Sequence, residues 1–144
     1  MQSSSPAHEL ARQLLSASDR LQRRLDGQLS SIVGISYNEY RLITALNDAD
    51  QPKTRIGLAQ AVGLSASGVT RALQPLEKIG YLQTVRDARD ARSSRATLTK
   101  AGRRLISNAD AVVNDVIADT AALSSLSTTE REAVMALLKS LSDG

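Results

Sequence analysis

The stretch LAQAVGLSASGVTRALQPLEKIGYLQTVRDARDARSSRATL, Leu58 to Leu98, constrains the fold more than any other part of the chain. Leu58, Ala59 and Val62 make one apolar helical face, and Gly63 then frees the backbone to turn. Ser65 is a good N-cap for a new helix, in which Val69, Ala72, Leu73, Leu76 and Ile79 recur at the spacing of an amphipathic element and are expected to face the core. The other side of that helix carries Ser67, Arg71, Gln74 and Lys78, with Thr70 on its flank. None of these is acidic, and hydroxyl, amide and guanidinium groups are the donors and acceptors that read base edges and phosphates. The blander reading is a solvated helix face. Pro75 lacks an N–H and is expected to bend or loosen the helix, which favours base contact from its N-terminal half.

Gly80 ends the second helix. Leu82 to Arg86 and Ser94 to Leu98 then have strand character and are joined by a loop holding Arg89 and Arg92, with Arg86 and Arg95 at its base. The order helix, turn, helix, hairpin predicts a winged helix-turn-helix, whose second helix enters the major groove of DNA and whose loop reaches the flanking minor groove. Arg71 is the side chain placed for bidentate recognition of guanine. Charge supports this reading. Between Arg86 and Arg104 there are seven basic residues against two acids, a local excess of five in a chain whose net charge is +3. Everything outside that window therefore sums to about −2, so the basic surface is concentrated as a polyanion footprint should be.

The run from Ile35 to Gly102 resembles the MarR family of bacterial winged-helix regulators. The resemblance is carried by SYNEYRL (Ser36 to Leu42), Leu58-Ala59, the run from Leu64 to Arg71, Leu76-Glu77-Lys78 with Gly80-Tyr81, Arg86-Asp87 with Asp90 and Arg92, and Leu98-Thr99 with Gly102. Gly57 departs from the family pattern by weakening the start of the first motif helix, and Arg89 departs by adding charge. The resemblance implies that Arg92 is the wing-tip residue entering the minor groove and that Asp90 steadies the wing by pairing nearby. The alternative is that these two make only a surface ion pair. Ser65, Ser67, Thr70, Arg71, Gln74, Lys78, Arg86, Arg89 and Arg92 are accordingly the candidate DNA-binding residues.

Elsewhere the chain reads as helix. From about Ala7 to Ile32, Leu10, Leu14, Leu21, Leu25 and Leu29 recur by four and seven, and Arg12, Arg20, Arg23 and Arg24 take the other faces, turned to solvent or to DNA phosphate. Gly34 breaks that helix, and a capping box from Ser36 to Glu39 opens the next, which ends near Asp48 with Leu42, Ile43 and Leu46 inward. Gln51-Pro52 is expected to turn, and Lys53 to Ile56 to supply a short third strand. After the wing, Thr99 caps a long helix with an apolar stripe from Leu105 to Ile117, and a second capping box, Ser127 to Glu130, starts a last helix with Val134, Leu137, Leu138 and Leu141 on one face. Past Leu105 there are six acids and two bases. This end repels DNA and presents apolar faces, either for a partner or for folding back on its own chain.

The expected fold is therefore mostly α with a small β-wing: residues 1–34 as an N-terminal dimerisation helix, 35–98 as the winged lobe and 99–144 as C-terminal dimerisation helices. The resemblance implies a homodimer on a palindromic promoter site with half-sites about one helical turn apart. It also implies repression relieved by a small aromatic or anionic effector, with Tyr37, Tyr40 and Arg41, and Arg12 or His8 from the first helix, near the family pocket. Core packing is the alternative role for Tyr40.

Other classes are disfavoured. The chain lacks Cys, Phe and Trp and has one histidine, which argues against a disulfide framework, a Cys-ligated metal and an imidazole zinc site. No nucleophile elbow or phosphate-cradling glycine loop marks an enzyme, and no cofactor is expected. No long apolar run or charged-then-apolar leader is seen, so no membrane partner and a cytoplasmic location are expected. The competing readings are a winged helix used for protein–protein contact and a nonspecific DNA-architectural module.

Overall fold

The computed structural model describes residues 3–48, 53–86 and 94–144. The chain divides into two compact units, Met1–Val113 and Asn114–Gly144, with the boundary inside one helix.

The first unit begins with α1 (Pro6–Val33), capped by Ser5 and ended by Gly34. Of its leucine series only Leu25 and Leu29 are buried, while Leu10 is 54% exposed. α1 packs on α2 (Tyr37–Asn47), and Leu10 and Leu15 in the N-terminal part of α1 are exposed. The capping box that opens α2 is formed: Ser36 Oγ accepts from Glu39 N–H at 3.0 Å, and Glu39 Oε1 accepts from Ser36 N–H at 2.8 Å. Asp26 of α1 accepts from Tyr37 N–H at 2.8 Å, satisfying another of the open donors at that helix start.

β1 (Lys53–Thr54) is shorter than the expected third strand, because Arg55 and Ile56 already belong to α3 (Arg55–Val62). Thr54 is the reason: its Oγ1 accepts from Gly57 N–H at 3.1 Å and caps the helix. α4 (Ala66–Ile79) follows, then β2 (Leu82–Arg86) and β3 (Ser94–Leu98). The three strands form an antiparallel sheet in the order β1-β3-β2, with Arg86 opposite Ser94, Thr84 opposite Ala96 and Thr54 opposite Arg95. Leu42, Ile43, Leu58, Val69, Leu73, Leu76, Leu82 and Ala96 are buried between these helices and the sheet. A core of aliphatic side chains thus replaces the missing large aromatics.

Ile79 does not join that core. It is 66% exposed. At about 100° per residue it lies roughly 90° from the middle of the Val69, Leu73, Leu76 stripe, in the last turn before the chain leaves the helix.

α5 (Lys100–Ala118) opens under Thr99, whose Oγ1 accepts from Gly102 N–H at 3.1 Å and donates to Gly80 O at 2.6 Å. Leu105, Ile106, Ala109, Val112, Val113 and Val116 are buried, whereas Ile117 is 39% exposed. The second unit holds the end of α5, the short α6 (Ala121–Ser124) and α7 (Thr128–Asp143). α7 starts at the expected capping box, Ser127 with Glu130, and the Ser127 amide holds the Glu130 carboxyl below its ordinary pKa. Val134, Met135, Leu137, Leu138 and Leu141 all remain exposed. Among the described residues no helix is long and apolar enough to cross a membrane.

Candidate nucleic-acid interface

The turn between α3 and α4 is three residues long, Gly63 to Ser65, and each of them, like Val62 just before it, has a local task. Val62 closes the buried face of α3. Gly63 takes φ 69° and ψ 27°, a left-handed conformation that side chains disfavour, and its N–H bonds back to Ala59 O at 2.9 Å. Leu64 N–H reaches the same carbonyl at 3.2 Å. Ser65 then caps α4 through Gly68 N–H at 3.0 Å, and its hydroxyl lies 3.3 Å from that of Ser67. Capping uses only an acceptor lone pair of Ser65, so its O–H can still donate, to Ser67 or outward.

Ser67, Arg71, Gln74 and Lys78 are exposed along one side of α4, and Thr70 is half-buried beside them with its hydroxyl on Ala66 O at 3.1 Å. No described residue engages Arg71, Gln74 or Lys78. The acid of this helix, Glu77, is half-buried seven residues after Thr70 and so on the same flank, off the side that carries Ser67, Arg71, Gln74 and Lys78. The outward face therefore carries hydroxyl, amide and cationic groups alone, as its sequence predicts. Pro75 sits inside α4, which continues to Ile79. The missing N–H leaves Arg71 O without its helical donor, so loosening is confined to that one bond.

Gly80 connects this face to the wing. At φ 100° it lets Tyr81 N–H return to Leu76 O at 2.9 Å, closing the helix and sending the chain straight into β2. β2 ends at Arg86, exposed and paired across the ladder with Ser94. Arg89, Asp90 and Arg92 lie outside the described residues.

The effector candidates are only partly brought together. The rings of Tyr37 and Tyr40 stack with centroids 6.4 Å apart, and the Arg41 guanidinium lies 5.9 Å from the Tyr37 centroid. Two of these groups already have structural partners. Arg41 Nη2 donates to Val62 O, fastening α2 to the end of α3. Tyr40 Oη donates to Asp110 Oδ1 at 2.7 Å, and burial, reinforced by that carboxylate, pushes the phenol up to about 12. Arg12 pairs with Glu9 at 3.5 Å on the exposed part of α1. It is 14 positions before Asp26, about 21 Å along the helix axis, so one chain does not carry Arg12 to Tyr37. Likewise His8 lies in the first turn of α1. The cavity that Tyr37 does line, about 260 Å³, is walled by Asp19, Gln22, Arg23, Asp26 and Asn38.

One residue that sequence reasoning passed over is Arg55. Its guanidinium Nη1 donates to Ser94 Oγ at the base of the wing. The available signal was Thr54, a capping residue immediately before it.

These elements define a winged helix-turn-helix with an acid-free outward face on its second helix. Residues 33–93 match the sequence model of the MarR family. The winged lobe of this chain belongs to that family. The structure is similar to that of the transcriptional regulator BldR from Sulfolobus solfataricus, with a TM-score of 0.84, 22% identity and 100% of both chains covered. It is also similar to Sco3205, a MarR family transcriptional regulator from Streptomyces coelicolor solved in complex with DNA, at TM-score 0.88 and 20% identity over 100% of this chain and 91% of that one. A third similar structure is CouR from Rhodococcus jostii RHA1 bound to p-coumaroyl-CoA, at TM-score 0.82 and 19% identity over 96% of this chain and 95% of that one. At these identities the likeness carries the fold.

Proposed function

We propose that this protein is a sequence-specific double-stranded DNA-binding transcriptional regulator that occupies a palindromic promoter site as a homodimer. The observation that carries the proposal is the outward face of α4, where Ser67, Arg71, Gln74 and Lys78 stand exposed with no acid among them. Arg71 is the base-reading group. Ser65, Ser67 and Thr70 at the helix N-terminus, with Gln74 and Lys78, hold the flanking backbone. Arg86, Arg89 and Arg92 carry the wing along the minor groove, and Asp90 steadies that loop. Sco3205, similar in fold, was solved with DNA, which supports this use of the lobe.

The dimer reading is supported by uncovered apolar surface: Val134, Met135 and Leu141 on α7, and Leu10 and Leu15 on α1. Two copies related by a two-fold axis present two recognition helices, which is why a palindromic site follows. Repression by promoter occupancy, released by a small aromatic or anionic effector, is the regulatory mode we assign. CouR, solved with p-coumaroyl-CoA, supports an effector of that chemistry, and the stacked Tyr37 and Tyr40 supply aromatic surface for it. Arg12 of a second copy is the cation that would complete such a site. Release requires only that the effector bind better to a lobe spacing that does not fit DNA.

The test is fluorescence anisotropy of the promoter duplex flanking the protein's own gene and of a random duplex, across a salt series, with sedimentation of the free protein. A steep loss of affinity with salt, a preference of about a thousandfold or more for the promoter and a dimer mass are expected. Absence of binding at low salt would overturn the DNA reading in favour of a protein–protein module. A steep slope without preference would reduce it to nonspecific architecture.

A further inference from the structure

Arg55 is the first residue of α3, yet its contact is with the wing. Thr54, which caps the helix, pairs with Arg95 of β3, so the chain enters α3 directly from the sheet. From that position the Arg55 guanidinium reaches Ser94, 39 residues later. Ser94 faces Arg86 in the β2–β3 register, and this pair is the rung of the ladder furthest from α4 and α5 among the described residues. Arg55, Ser94, Arg86, Thr84 and Glu77 wall one cavity of about 390 Å³, which places the inner flank of α4 on the same space. The elements meeting there are the three that a winged helix uses to set its footprint.

The contact also carries an energetic cost. The Nε–H of Arg55 is buried without an acceptor among the described residues, an arrangement that destabilises the fold relative to a shorter side chain. What the guanidinium gains is a planar, long-reaching donor group that spans from the helix-turn-helix to the wing base with little conformational freedom.

We infer that Arg55 is a positioning residue for the wing: through Ser94 it fixes the base of the β2–β3 hairpin relative to α4, and so sets where the wing arginines meet DNA flanking each half-site. This rests on the DNA-binding reading above. Arg55 acts inward through Ser94 and makes no base contact of its own.

The test compares wild type, Arg55→Gln, Ser94→Ala and the double variant by anisotropy and hydroxyl-radical footprinting on an operator with long flanks and on one trimmed to its half-sites. Wild type is bound first. If it protects no duplex, the DNA reading and this inference both fall. With wild type bound, each single variant should weaken binding to the flanked operator about tenfold, the scale of one hydrogen bond to a charged group. Protection should disappear from the flanks and persist at the half-sites. The trimmed operator should be bound equally by all four proteins, and the double variant should be no worse than either single one, since both remove the same link. Ser94→Thr, which keeps the hydroxyl, should restore flank protection. Flank protection that survives Ser94→Ala would overturn the inference alone, as would loss from flanks and half-sites in equal measure.

Discussion

The phenol of Tyr40 in α2 donates a 2.7 Å hydrogen bond to the carboxylate of Asp110 in α5, 70 residues later. Burial first, and that carboxylate second, lift the phenol from its ordinary 10.0 to about 12. The folded protein therefore keeps this proton where the unfolded chain has lost it. By linkage, the stabilisation is complete below pH of about 10 and is lost as pH rises toward about 12. Urea unfolding of wild type and Tyr40→Phe at steps from pH 8 to 12 should show the wild type losing more stability across that window. Parallel curves would mean that Tyr40 keeps an ordinary pKa.

Gly102 and Gly27 should respond oppositely to alanine. A Cβ at Gly102 would lie 2.0 Å from Tyr81 O, a backbone atom that also accepts Thr99 N–H at 3.1 Å and has little room to yield. Gly102→Ala should cost about 1–3 kcal/mol or more, as overpacking does. At Gly27, inside α1, a Cβ would meet nothing within 4 Å, so alanine should stabilise by about 0.5–1 kcal/mol through helix propensity. Thermal unfolding of the two variants checks both signs at once.

Why some of this was legible in the sequence and some was not follows from range. The capping boxes at Ser36 and Ser127, and the helix-ending glycines Gly63 and Gly80, act within four residues of themselves, so local pattern reveals them. The polar face of α4 follows from the helical period alone. The links from Asp26 to Tyr37, Arg41 to Val62, Arg55 to Ser94 and Tyr40 to Asp110 span 11 to 70 residues, and no periodicity encodes them. Ile79 misled because apolar spacing continues to the last residue of a helix even where the core does not. α6 is four residues long, with no side-chain cap at Thr120, and leaves no pattern to read.

Ser65 combines two tasks that substitution can separate. Its Oγ accepts from Gly68 N–H at 3.0 Å, so Ser65→Ala should cost about 1 kcal/mol of stability. Ser65→Asp keeps a capping oxygen and suits the helix dipole, so stability should hold. On the proposed DNA-binding role of α4, the added negative charge at its N-terminus should nevertheless weaken DNA binding more than Ser65→Ala does. Denaturation and anisotropy on the same two variants test this; an aspartate variant binding DNA as wild type does would remove Ser65 from the interface.

Arg71 and Lys78 stand on the same exposed face of α4 with different assigned work. Lys78→Ala should weaken all duplexes alike and reduce the salt slope by about one phosphate's worth. Arg71→Ala should cost about 1–3 kcal/mol at one guanine per half-site and little at other positions. A panel of single-base operator variants titrated against both proteins distinguishes the two patterns.

The central claim is that α4 reads a base sequence. Selection of bound duplexes from a random pool, with sequencing after several rounds, tests it most directly. The account expects enrichment of a palindrome whose half-sites are about one helical turn apart, with one half-site position relaxed when the selection is repeated with Arg71→Ala. A bound pool that remains random, or a motif unchanged by Arg71→Ala, would contradict it.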